Sequence, residues 1–228
     1  FAMIFEELSK GWMSISGVIG THHVMSSIIA GFGSEEQKGR FLTRMATGDL
    51  RGGLALTEAE AGSDVQNLQT TAVKEGDEYV LNGSKMFITN AEHGNAFAVL
   101  AKTDVNAEPP YKGISCFVVE KPTAGLTVGQ KFDKLGYRGV DTCELVFQGA
   151  RVPAVNLVGG EEGFRELIRK AEAIGVAVDT YTDPILVHAA SYHGLEKVKS
   201  WGIGGAKGEV WYTIDAGQPA YRPCLAVE

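Results

Sequence analysis

Near residue 50 the spacing of apolar residues changes from the period of a helix to the period of a strand, and no one type of element can span that change. Before it, Ala2, Ile4, Phe5 and Leu8, and then Val18, Ile19, Met25, Ile28 and Ile29, fall at helical intervals. From Leu54 to Phe147 the alternation is that of strands. The expected fold class is therefore α+β: an amino-terminal helical segment (1–50), an antiparallel β-barrel or sandwich (51–160), and an irregular carboxy-terminal α/β segment (161–228).

Local signals sharpen this outline. Ser34-Glu35-Glu36-Gln37 is a capping box, in which Ser34 and Gln37 can each satisfy the other's backbone N–H, so a helix begins there. Thr47-Gly48-Asp49 ends it, because glycine enters the left-handed conformation without a Cβ clash. In the β half, Glu75-Gly76-Asp77 reads as a turn and Asn82-Gly83 as the strongest short hairpin signal. Gly113–Val119 and Thr142–Phe147 read as strands, with loops at Pro109-Pro110 and Lys121-Pro122.

The chain has 228 residues, 44% of them hydrophobic, enough to bury a sizeable core. Its 21 basic and 28 acidic residues give a net charge of −7 with no basic cluster, which argues against nucleic acid as a partner. Cys116, Cys143 and Cys224 are odd in number and lack metal-type spacing, so reduced thiols in a cytosol-like compartment are expected. No membrane span of roughly 20 apolar residues and no signal peptide are read. His22-His23 and the pair His188 and His193 read as structural or exposed, and no metal is expected.

The candidate site lies between Leu54 and Asn90. Leu54 and Leu56 lead to Thr57, a small-residue turn follows at Gly62-Ser63, and Phe87-Ile88-Thr89 closes the stretch. Two threonine hydroxyls and a turn with open backbone N–H groups, set beside an apolar wall, suit a flat heterocycle with a polar edge and a phosphate tail. The same residues also suit an ordinary sheet with a surface turn, and spacing does not separate the two readings.

The segments Ala55–Ser63 (ALTEAEAGS), Tyr79–Asn90 (YVLNGSKMFITN), Lys112–Val119 (KGISCFVV) and Lys134–Pro153 (KLGYRGVDTCELVFQGARVP) resemble the acyl-CoA dehydrogenase family, as do the MIFEEL opening and the FGSEEQK box. The resemblance covers residues 1 to about 160. It implies FAD as cofactor, an acyl-CoA thioester as substrate, an electron-accepting flavoprotein as partner, a homo-oligomer, and a bacterial cytoplasm or mitochondrial matrix as location. By the same resemblance Leu54, Leu56 and Thr57 meet the pyrimidine end of the flavin, Thr89 lies near N5, Phe87 lies beside the ring, and Ile88 is a further cofactor-binding residue. Gly62 and Ser63 lie near the pyrophosphate, with Ser63 also near the thioester. Many members have Trp where this chain has Phe87. Glu58 and Glu60 match positions that are not catalytic, and no base is identified. The alternative is a flavin- or acyl-CoA-binding or assembly module that lacks the catalytic helical bundle.

After Gly160 the sequence departs from that family. Residues 164–174 could form one helix, but Tyr181-Thr-Asp-Pro, a glycine-rich run from Gly202 to Gly208 and an alternating Glu209–Asp215 stretch do not build long helices. Asp179–Ile185 and Tyr212–Ala220 weakly resemble carboxy-terminal segments of mevalonate diphosphate decarboxylases, with Asp215 matching an aspartate that acts on the substrate hydroxyl. The apolar faces of the first 160 residues are therefore expected to be covered by self-association or by a tail packing through Val210, Trp211, Ile214 and Leu225.

Overall fold

A computed structural model describes residues 2–160. Helices α1 (Ala2–Gly11), α2 (Met13–Phe32) and α3 (Glu35–Thr47) precede seven strands. These are β1 (Gly52–Ala55), β2 (Thr71–Glu75), β3 (Glu78–Thr89), β4 (Ala96–Lys102), β5 (Ile114–Glu120), β6 (Leu126–Lys131) and β7 (Thr142–Pro153). The expected helix at 164–174, the Glu209–Asp215 strand, the glycine-rich run, the decarboxylase-like segments, His188, His193, Cys224 and the apolar contacts Val210, Trp211, Ile214 and Leu225 all lie outside the described residues.

The capping box forms as expected. The Gln37 N–H donates to Ser34 Oγ at 3.2 Å and the Ser34 N–H to Gln37 Oε1 at 3.0 Å. Gln37 Nε2 also donates to the carbonyls of Val155 (2.8 Å) and Leu157 (2.7 Å), so the same side chain that starts α3 ties it to the segment after β7. Gly48 ends α3 with φ of 80°, in the left-handed region.

The strands make one curled, mixed sheet in the order β1-β4-β2-β3-β7-β6, with β5 also on β4. Most neighbours are antiparallel, but β1 runs parallel to β4 (Gly52↔Ala96 to Ala55↔Val99), as does the tip of β2 (Thr71↔Lys102). The all-antiparallel expectation is corrected here: the β2–β3 hairpin intervenes between β1 and β4 and supplies the long crossover that parallel pairing needs.

Inside the curl, Tyr79, Leu81, Phe97, Val99, Phe117, Val119, Leu145 and Phe147 form one core. On the other face Ala96, Ala98, Cys116 and Val118 of β4 and β5 meet Met25, Ile28 and Ile29 of α2 and Phe41 and Met45 of α3. Strand β4 is therefore apolar on both faces, and each large side chain of this kind stabilises the fold by roughly 1.5–3 kcal/mol. Burial of the helices is uneven. The carboxy-terminal half of α2 is in the core, whereas α1 has no buried residue and Met3, Ile4, Trp12 and Met13 are exposed. At 20 residues, α2 is long and apolar enough by length and composition to cross a membrane, while its Met25, Ile28 and Ile29 are buried against the sheet and α3.

The Glu75-Gly76-Asp77 turn joins β2 to β3, with Glu75 opposite Glu78 and Gly76 at φ of 61°. Asn82-Gly83 is not a hairpin. It sits inside β3, at a register shift where Asn82 faces both Thr71 of β2 and Gln148 of β7. A glycine is required there for close approach, since a Cβ at Gly83 would lie 2.7 Å from Thr70 Cα. Asn82 Oδ1 accepts from the Gly149 N–H at 2.8 Å and so braces the shift.

Gly83→Ala should therefore lower stability by about 2–4 kcal/mol, from backbone strain and overpacking together. Gly76→Ala, at positive φ but with open space around it, should cost about 1–2 kcal/mol. Denaturant midpoints of the two variants compare them directly, and equal costs would contradict the strand placement of Gly83.

Candidate functional site

Strand β1 ends at Ala55, and Leu56 and Thr57 follow it. The Met86 N–H donates to the Thr57 carbonyl at 2.8 Å, while a Cβ on Gly53 would lie 2.7 Å from the Thr89 carbonyl. Residues 53–57 thus lie alongside residues 86–89, and Thr57, Phe87 and Thr89 share one strip. Beyond Thr57 the chain turns tightly, with Glu58 N–H donating to the Ala61 carbonyl (2.9 Å) and Ala61 N–H to the Glu58 carbonyl (3.3 Å). Gly62 and Ser63 follow, both exposed.

The local backbone explains which of these side chains face outward. A bulge separates the Lys85 and Ile88 pairings with β7, and Phe87 takes φ of 60°. For a bulky residue that conformation costs about 1–3 kcal/mol, and such strain gathers at functional sites. The extra residue reverses the alternation: Tyr79, Leu81 and Lys85 point inward before it, and Ile88 does so after it. Phe87 is left 58% exposed, its ring 4.8 Å from that of Phe132. The Ile88 side chain is only 2% exposed and belongs to the core, so it can offer a ligand nothing but backbone. Leu54 packs against the helical core and Leu56 is half-buried. Thr57 and Thr89 are half-buried, and among the described residues the hydroxyls of Thr57, Ser63 and Thr89 have no hydrogen-bond partner.

Directly beneath the strip lies a buried ion pair. Lys85, 0% exposed, places Nζ 2.6 Å from Glu58 Oε1 and 3.2 Å from the Leu56 carbonyl. The Glu58 carboxylate also accepts from the N–H groups of Gln69 (2.5 Å) and Thr70 (3.1 Å). Burial pushes the Glu58 carboxyl up, but the Lys85 charge and these donors outweigh it and hold the pKa below the usual carboxylate value. For Lys85, the more deeply enclosed partner, burial wins over the attraction of Glu58 and lowers the ammonium pKa. Lys85 falls in the inward phase of β3, a sequence signal that a lysine there needs an acidic partner.

The remaining candidate chemistries are quieter. Cys116 is fully enclosed, and burial pushes its thiol up to about 12, where it is no nucleophile at neutral pH. His22 Nε2 lies 3.3 Å from the Met45 carbonyl, a packing role. One group among the described residues, Glu92, His93 and Asp141, brings possible metal-ligating atoms within 4.8 Å of one another. Glu92 is already paired with Lys131 at 2.5 Å, and Asp141 accepts from the Glu92 N–H at 2.7 Å.

Residues 53–150 match the family described as "Acyl-CoA dehydrogenase, middle domain", and residues 1–49 match "Acyl-CoA dehydrogenase, N-terminal domain". The chain belongs to the acyl-CoA dehydrogenase family. Within that family it is 45% identical over 163 residues to the human mitochondrial short-chain specific acyl-CoA dehydrogenase, covering 70% of this chain and 38% of that protein. It is 38% identical over 203 residues to an acyl-CoA dehydrogenase of Bacillus subtilis, covering 84% of this chain and 52% of that one. The crystal structure of the acyl-CoA dehydrogenase from Geobacillus kaustophilus superposes with a TM-score of 0.68 at 41% identity, over 91% of this chain and 54% of that one. The chain thus spans about half or less of the length of these relatives. All the residues of the strip, from Leu54 to Thr89, fall in the middle-domain match.

Because the folded Glu58 carboxyl titrates below its unfolded value of 4.5, the stability that its ionised form contributes is present in full above that value and is lost as pH falls through the folded pKa. Glu58→Gln leaves a buried lysine without its counter-charge and should cost about 3–5 kcal/mol at neutral pH. Its unfolding free energy should also fall less between about pH 5 and pH 3 than that of the parent. A parallel acid decline in both proteins, followed by denaturant unfolding across this range, would contradict the account.

Proposed function

We propose that this chain is the flavin- and acyl-thioester-binding part of an acyl-CoA dehydrogenase, which oxidises an acyl-CoA across its α,β bond with FAD as the electron acceptor. The observation that carries this reading is the strip itself. Two unpartnered hydroxyls, Thr57 and Thr89, flank an outward aromatic pair, Phe87 and Phe132, within the stretch that matches the family's middle domain. That donor set fits a flavin: O–H and N–H groups meet its polar edge, and the aromatic pair supplies an apolar wall. The crystal structure of an FAD-dependent dehydrogenase is also similar to this chain, at 32% identity and a TM-score of 0.58.

Bound there, FAD would accept two electrons from the substrate. Thr57 and the backbone from Leu54 to Leu56 would orient its pyrimidine end, and Phe87, with the Ile88 backbone, would line its ring and exclude water. Thr89 would donate to the flavin nitrogen that gains electron density, while Gly62 and Ser63 would hold the pyrophosphate and, through Ser63, the thioester. No proton-abstracting base is assigned among these residues. An electron-accepting flavoprotein would take the electrons onward, and assembly would be homo-oligomeric. The relatives are bacterial and mitochondrial, which supports a bacterial cytoplasm or mitochondrial matrix.

A second reading, a non-catalytic flavin- or acyl-CoA-binding module, is favoured by the sequence after Gly160, where the glycine-rich run from Gly202 to Gly208 and the alternating Glu209–Asp215 stretch depart from the family pattern. Anaerobic mixing of the FAD-loaded protein with a panel of acyl-CoAs separates the two. Bleaching of the flavin absorbance is expected for a dehydrogenase, and bound FAD that no thioester bleaches would leave the binding module. A protein that takes up no FAD would exclude both as flavoproteins.

Thr89→Val keeps the side-chain shape and removes one donor to a group that becomes negative, a loss of about 1–3 kcal/mol in the reduced state. Its flavin midpoint potential should drop, and an unchanged potential would mean that Thr89 is a strand residue only.

A further inference from the structure

Lys85 is the only buried lysine among the described residues, and everything its ammonium touches belongs to the segment that enters the strip. Nζ reaches the Leu56 carbonyl and the Glu58 carboxylate, and the N–H of the next residue, Met86, takes the Thr57 carbonyl. The acceptors of three consecutive residues, 56 to 58, are thus all claimed by two consecutive residues of β3. Glu58 in turn holds the N–H groups of Gln69 and Thr70 at the far end of the loop that contains Gly62 and Ser63.

We propose that Lys85, held by Glu58, is a positioning residue for the flavin site: it fixes the Leu56–Thr57 backbone against β3 and thereby sets where the Thr57 hydroxyl and the Gly62-Ser63 turn stand. This rests on the flavin-binding reading above. Stability alone does not account for the pair, because an apolar pair of similar volume commonly serves a fold as well or better. What an apolar pair cannot supply is directed donors and acceptors for the Leu56 carbonyl and the two loop N–H groups. With those gone, the Thr57 segment is free to shift while the core beneath it stays packed.

The test replaces both charges at once. Lys85→Met/Glu58→Met leaves no lone buried charge, and it is compared with the parent for thermal melting, FAD affinity by fluorescence quenching, and the visible spectrum of bound FAD. The expected result is a melting temperature near that of the parent with FAD affinity weakened roughly tenfold or more and an altered flavin band shape, the cost of lost preorganisation. A double variant that binds FAD with parental affinity and spectrum would overturn the inference while leaving the flavin reading intact. A parent that takes up no FAD would overturn that reading and this inference with it. Should the double variant not fold, amide exchange in the parent decides: the Met86 N–H is expected to exchange as slowly as the β3–β7 ladder, and exchange at loop rates overturns the clamp.

Discussion

The arrangement of this chain's outward strip depends on a buried charge pair. Transferring the Lys85 ammonium and the Glu58 carboxylate out of solvent costs several kcal/mol each, and it is tolerated because nearly every polar valence is met. The ammonium has the carboxylate and the Leu56 carbonyl; the carboxylate has the ammonium and two backbone N–H groups. The reward is geometric. Three separate pieces of backbone, at residues 56–58, 69–70 and 85–86, are brought to one point, and the turn at Gly62-Ser63 hangs between two of them.

A second constraint joins the helices to the same strip. The Asn90 side chain, buried at φ of 63°, donates to the carbonyls of Val18 (3.0 Å) and Gly52 (3.1 Å) and to the Thr21 hydroxyl (3.0 Å). One amide therefore links α2, β1 and the end of β3, directly after Thr89. Gly52 also lets β1 lie close against β4 and α2, because any Cβ there would run into the Ala96 carbonyl and the Met25 sulfur. The strip is thus held from below by Lys85 and at its end by Asn90, and the exposed Phe87 between them carries strained backbone that such bracing can sustain.

How much of this was legible in the sequence follows from how local each signal is. The Ser34/Gln37 box, the Gly48 stop and the Gly76-Asp77 turn are decided by residues within one turn of each other, and each forms as read. Strand β4 carries no alternation because both its faces are buried, so Ala96–Ala101 reads as an undifferentiated apolar run. Its parallel pairing with β1 joins segments some forty residues apart, which no short-range rule reaches. Asn82-Gly83 has the composition of a hairpin, and only the neighbouring Thr70 reveals that the glycine serves close packing instead. Thr57, Phe87 and Thr89, to which the resemblance points, lie on adjoining stretches. The inward turn of Ile88 was not legible, since it depends on the bulge that Phe87 introduces.

The central claim is that one ligand, FAD, lies on the strip from Leu54 to Thr89. Hydrogen–deuterium exchange of the parent protein with and without FAD tests it residue by residue. Added protection is expected to concentrate in residues 54–63 and 86–90, with the edge strand β6 unchanged. Protection confined to other segments, or none at all in protein that has bound FAD, would contradict it.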